Sequence, residues 1–169
     1  MIVGVVGALA LATGCGGAEA EGRQLWFVDG YVSALGMRGT LDDVERERAA
    51  TPARALGELL KGPTQAERDA GLISAIPPET LLETISVSDL TARVRLVSDA
   101  PRREWTVGDY YATAQIVYTL TEFDEVGRVE LYVNGERCCV YDRQSRPVRR
   151  PLTRQTFRGW QGDPLPPPG

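Results

Sequence analysis

Apolar residues in this 169-residue chain recur at two spacings, and the switch between them restricts the fold more than any single residue does. Period two marks a strand with one buried face; a period of three to four marks a helix. "RQLWFVDGYVS", Arg23 to Ser33, is rich in aromatic and β-branched residues and predicts a first strand. In "TPARALGELLKGPT", Thr51 stands as an N-cap and Pro52 at the first helical position. Leu56, Leu59 and Leu60 share one face of that helix, which Gly62 and Pro63 end. Thr64 and Glu67 have capping-box spacing for a short helix through about Ala70, closed by Gly71, and "AIPPET" predicts a turn. Leu81, Ile85 and Val87, then Ala92, Val94 and Leu96, alternate with polar neighbours that include Arg93 and Arg95. Around a turn near Asp89 they predict an antiparallel hairpin with one wet face. Thr106 and Asp109 have capping-box spacing, with Asp in place of Glu or Gln. Tyr110, Ala114, Val117 and Leu120 then form the face of a helix laid on the sheet. Val129, Leu131 and Val133 alternate with Arg128, Glu130 and Tyr132 up to Asn134-Gly135, a strong hairpin-turn signal. The order β-α-β-β-α-β-β predicts an α/β (α+β) fold: a small two-layer sandwich, its sheet mixed or antiparallel, with helices on one face.

With 43% hydrophobic and 25% charged residues the chain has the composition of one globular domain, placed at 23–141. Met1 to Ala12 is apolar without interruption but shorter than the roughly 20 residues a bilayer span needs, so it fits the apolar region of a signal peptide. "LATGC", Leu11 to Cys15, resembles a bacterial lipobox, with small residues before a cysteine and the linker "GGAEAEG" after it. The resemblance implies a leader over 1–15, lipidation of Cys15, a flexible linker over 16–22, and a domain anchored on the extracytoplasmic face of a bacterial cell membrane. Two departures stand beside it: Ala12 where Leu is more usual, and no Lys or Arg before Arg23, from which a true start upstream is expected. The competing expectation is a buried N-terminal strand or helix with an incidental cysteine. Outside the cytoplasm disulfides persist, and Cys138 and Cys139 could use that. Adjacent strand residues face opposite ways, so the pair is a poor metal clamp. It reads first as two small half-buried hydrophobes, with a strained vicinal disulfide or an intermolecular bridge as alternatives.

The chain has no histidine. Ser-His-Asp and Cys-His sites and most zinc-hydrolase sites are thereby excluded. The net charge of -4 argues against a generic nucleic-acid binder. No cofactor, metal or catalytic residue is expected. Asp42, Asp43, Glu45 and Glu47 could be imagined as a carboxylate pair for glycan cleavage. Interleaved with Arg46 and Arg48, "LDDVERERAA" reads more simply as a solvated loop or helix face, and Tyr110 and Tyr111 as packing. The remaining candidate is the basic, proline-rich segment 142–169. It carries Arg143, Arg146, Arg149, Arg150, Arg154 and Arg158, with Phe157 and Trp160 beside them. Arginine forks match phosphate, so these six are candidates for an anionic envelope polymer or lipid head groups. The plainer alternative is a solvated tail whose "PLTRQTF" part packs back on the domain.

The blocks "LLKGPTQAERDAGLISAIPPET", "AQIVYTLTEF" and "VELYVNGE", with the closing "PLTR", resemble the GerMN (sporulation and spore germination) domain over about Trp26 to Phe157. The resemblance implies a relative of the ring-building modules of envelope assemblies, a type found in bacterial lipoproteins linked to sporulation, germination or envelope signalling. It supplies no catalytic residues. The function it implies is a non-enzymatic, lipid-anchored interaction module with an envelope protein partner and a possible homo-oligomeric state.

Overall fold

The computed structural model describes residues 22–33, 36–99, 108–138, 140–141 and 146–157. The leader with Cys15, most of the linker, Thr106, Cys139, Arg143, Arg158 and Trp160 lie outside the described residues.

Strand β1 (Arg23–Ser33) pairs antiparallel along its whole length with β2 (Gly36–Arg46), from Arg23 opposite Arg46 to Ser33 opposite Gly36. β1 is the centre of a sheet ordered β2-β1-β3, and Leu25, Trp26, Phe27 and Val28 are buried in sequence because both of its faces are covered. β2 overturns the expectation of a loop or helix face over "LDDVERERAA". Leu41 is buried and Val44 half-buried, while Asp42, Asp43 and Glu45 are exposed on what is an edge strand, where charge is tolerated. Gly39 lies opposite Gly30, and a Cβ there would sit 2.3 Å from the Asp29 carbonyl oxygen, so only glycine allows this approach.

Helix α1 (Pro52–Leu60) starts as expected: Thr51 Oγ1 accepts from Arg54 N at 3.3 Å, and Ala55, Leu56 and Leu59 are buried. Helix α2 (Gln65–Asp69) has both halves of its capping box, Thr64 N donating to Glu67 Oε2 at 2.7 Å and Glu67 N to Thr64 Oγ1 at 3.3 Å. It leads into β3 (Leu72–Ile73), a two-residue strand beside β1 that the sequence pattern does not reveal.

The second sheet is ordered β4-β5-β6-β7, from β4 (Leu81–Ser88), β5 (Thr91–Val97), β6 (Arg128–Val133) and β7 (Glu136–Arg137). It is mixed. β5 and β6 are parallel, and such a pair needs a crossover of a dozen or more residues, which contains α3 (Gly108–Leu120). Asn134 and Gly135 both take positive φ, 51° and 80°, in the β6–β7 turn, as their sequence predicts. A register shift between Leu82 and Thr84 corrects the alternation expected for β4. Leu82, Ile85 and Val87, opposite Leu96, Val94 and Ala92, form the inward row, and Leu81 turns out to solvent opposite Val97.

Helix α3 differs from its expected one-faced role. Every residue from Tyr110 to Leu120 is buried, because the helix contacts β1 and β2 of one sheet, β6 of the other, and α1. A helix apolar all round belongs inside a core. Its polar residues meet backbone: Gln115 accepts from Ala75 N at 2.7 Å and donates to the Trp26 carbonyl at 3.1 Å, and Thr119 Oγ1 accepts from Trp26 N at 3.0 Å. The α+β class is the one expected, with its strands divided between two sheets.

Candidate functional site: an arginine-rich sheet face

The inward row of the second sheet (Ala92, Val94, Leu96, Val129 and Leu131) is buried; the opposite row of each strand is not. Strand register lays that outward face out in cross-strand rows. Ser88, Thr91 and Arg128 form the first, Ser86, Arg93 and Glu130 the second, and Thr84, Arg95, Tyr132 and Arg137 the third; Leu81 and Val97 close the far end. Neighbours across strands lie about 5 Å apart, so these side chains interact. Glu130 Oε2 accepts from Arg93 Nε at 3.0 Å and its Oε1 from Arg137 at 3.5 Å, one carboxylate between two guanidinium groups. Arg128 donates to neutral oxygens, Thr91 Oγ1 at 2.7 Å and the Asp89 carbonyl at 3.0 Å. Arg95 lies 5.4 Å from the centre of the Tyr132 ring. Ser88, Asp89 and Thr91, with Arg93, Arg128, Glu130 and Pro151, line an open cleft of about 440 Å³ on this face.

Among the described residues the tail arginines do not form one cluster. Arg143 and Arg158 are outside the described residues, and Arg146, Arg149 and Arg150 are exposed. Arg154 is directed inward. Its Nη2 donates to Glu122 Oε1 and, at 3.0 Å, to the Tyr118 carbonyl; its Nε donates to Thr121 Oγ1 at 2.8 Å. The same guanidinium lies over the rings of Tyr118 at 4.9 Å and Trp26 at 5.5 Å. Arg154 is therefore a tie between tail and core and is not free to meet an external anion. Leu152 pairs with Val129, and Phe157 is fully buried with its carbonyl accepting from Tyr110 Oη at 2.5 Å. Pro151 brings the tail to the cleft, directly after Arg149 and Arg150.

The acids of β2 do not converge as a facing pair. Asp42 and Asp43 are successive strand residues on opposite faces. Burial, followed by the neighbouring Asp42 and Glu122, raises the Asp43 carboxyl above its ordinary value. Among the described residues no group of three His, Cys, Asp or Glu side chains is placed to hold a metal ion. Cys138 is buried and disulfide-bonded, which replaces the simplest expectation of a free apolar side chain; its partner lies outside the described residues. From the sequence Arg93, Arg95 and Arg128 stand out only as polar members of an alternation with buried residues, and Arg137 carries no such signal.

Residues 27–139 match the Germane family, described as sporulation and spore germination. The chain belongs to the Germane family. No curated protein matches it. Among solved structures, the first GerMN domain of the sporulation protein GerM from Bacillus subtilis is similar with a TM-score of 0.54 and 16% identity, over 79% of this chain and 98% of that one. The tandem GerMN domains of the same Bacillus subtilis protein are similar with a TM-score of 0.51 and 16% identity, over 79% of this chain and 46% of that one. At such identity the likeness is one of fold, and this Germane-family chain shares the GerMN arrangement of strands and helices.

Proposed function

We propose that this chain is a non-enzymatic, lipid-anchored interaction module of the GerMN type, held at Cys15 on the extracytoplasmic face of a bacterial membrane and serving an envelope or sporulation-related assembly. The observation that carries the reading is the kind of surface the fold offers. Among the described residues its charged side chains are arranged along open strands and paired across neighbours. β2 is an eleven-residue edge that no other described strand pairs on its outer side, a place where an extended partner segment can add by backbone hydrogen bonds. The lipobox-like "LATGC" supports the anchor.

Photo-crosslinking in intact cells tests the module. A crosslinking residue placed at Thr40 or Asp42 on the β2 edge should yield a discrete adduct that mass spectrometry assigns to an envelope protein, and the same probe at Glu58 on α1 should not. Identical adducts from all three positions, or none from β2, would remove β2 as the docking edge.

A further inference from the structure

We propose that the outward face of the second sheet lies against anionic phospholipid head groups. The chain as a whole carries a net charge of -4, yet this face presents Arg93, Arg95, Arg128 and Arg137. The carboxylate on the face itself is Glu130, held between Arg93 and Arg137; Glu83 lies at the β4 irregularity, Asp89 in the turn, Asp124 and Glu125 in the loop before Val126, and Glu136 beside Arg137 on β7. Arg128 and Arg95 have only neutral oxygens and a tyrosine ring as described partners, so their charge is not cancelled within the sheet. A guanidinium matches a phosphate bidentately, and Tyr132 beside it suits the head-group level.

The apolar residues mark the same surface. Of the six large hydrophobic side chains exposed among the described residues, Leu81 and Val97 lie on this face and Leu90 at the tip of the same β4–β5 hairpin. Leu90 is 55% exposed and takes φ of 58°, a left-handed conformation that leucine adopts only at a cost. Glycine or asparagine would fit that turn better, so an exposed apolar tip is kept there against the local preference.

The chain also enters the domain at this end. Arg23 stacks on Phe123, whose carbonyl accepts from Val126 N at 2.8 Å, and Gly127 N and Arg128 N both donate to the Leu90 carbonyl. The start of β1 and the Leu90 tip therefore share one end of the molecule. Residues 16–22 can span at most roughly 25 Å, so a lipid on Cys15 would hold that end beside the bilayer at high effective concentration. Choosing the membrane as occupant rests on the anchoring reading, but the test does not use the anchor.

The test uses residues 15–169 with Cys15→Ser, which contain every described element and cannot be lipidated, sedimented with large vesicles of phosphatidylcholine alone or with 30% phosphatidylglycerol. Binding is expected to the mixed vesicles only and to fall as salt rises. Each arginine near a charged membrane is worth about 1 kcal/mol, about fivefold, so Arg93→Gln, Arg95→Gln and Arg128→Gln together should weaken binding at least tenfold. Leu90→Asn, which relieves the turn and should leave the protein folded, should weaken it several-fold. No binding to the mixed vesicles, or equal binding by wild type and the triple variant, would overturn the proposal. So would a concentration-dependent dimer lost in the triple variant, because a second copy would then own the face. Since lipidation plays no part, these outcomes leave the Cys15 reading to be decided by cell fractionation.

Discussion

Arg154 and Glu67 each hold an ion pair between separate parts of the domain. Arg154 and Glu122 are largely buried, with side-chain exposures of 24% and 19%, and Glu122 also accepts from Trp26 Nε1 at 2.9 Å. Arg154→Gln should therefore cost about 2 kcal/mol, since it leaves Glu122 without its cation and uncovers two rings. Arg149→Gln, at an exposed site, should change stability by less than about 0.5 kcal/mol. Urea unfolding of the two variants checks both values. From sequence alone Arg154 looks like its neighbours in a basic tail; its partners lie 32 to 36 residues earlier, beyond any local pattern. Glu67 is bound bidentately by Arg46, with Nη2 to Oε2 at 2.6 Å, and this bond lowers its carboxyl from 4.5 to about 2. Its folded value lies below its unfolded one, so the stability it contributes is complete above pH about 4.5 and is lost as pH falls toward 2. Glu67→Gln should flatten that part of a pH–stability curve and cost about 1–2 kcal/mol at neutral pH.

The elements legible in the sequence are those whose pattern is local. α1 and α2 announce their caps, β5 and β6 alternate cleanly, and Asn134-Gly135 turns as its residues require. β2 was not legible because its outward positions are acidic, and its strand conformation comes from pairing with β1. Likewise, period alone assigned one face to α3, whereas enclosure by two sheets and α1 is a property of the assembled chain. Of the candidate face, Arg93 and Arg95 could be read as a wet row, but Arg128 and Arg137 join them only through the parallel β5–β6 pairing. Two variants test these assignments. Gly39→Ala drives a methyl into the Asp29 carbonyl and should lower stability by about 1–3 kcal/mol by thermal melting. Val117→Asp buries an unpaired carboxylate at a fully buried site of α3, and several kcal/mol is comparable with the whole stability of such a domain, so it should fail to fold by circular dichroism.

At the scale of the whole molecule, a GerMN fold presents arginines on one sheet and an acidic edge on the other, and the proposed lipid on Cys15 would tie it to a membrane. No helix among the described residues is long and apolar enough to cross a membrane. On the proposed reading the anchor is the lipid on Cys15, and any contact made by the sheet face alone should be electrostatic and removable by salt. Fractionation of cells expressing wild type or Cys15→Ser, with a high-salt wash of the membranes, tests this most directly. Wild type should stay in the washed pellet and the variant should leave it; a variant retained as fully as wild type would contradict lipid anchoring at Cys15.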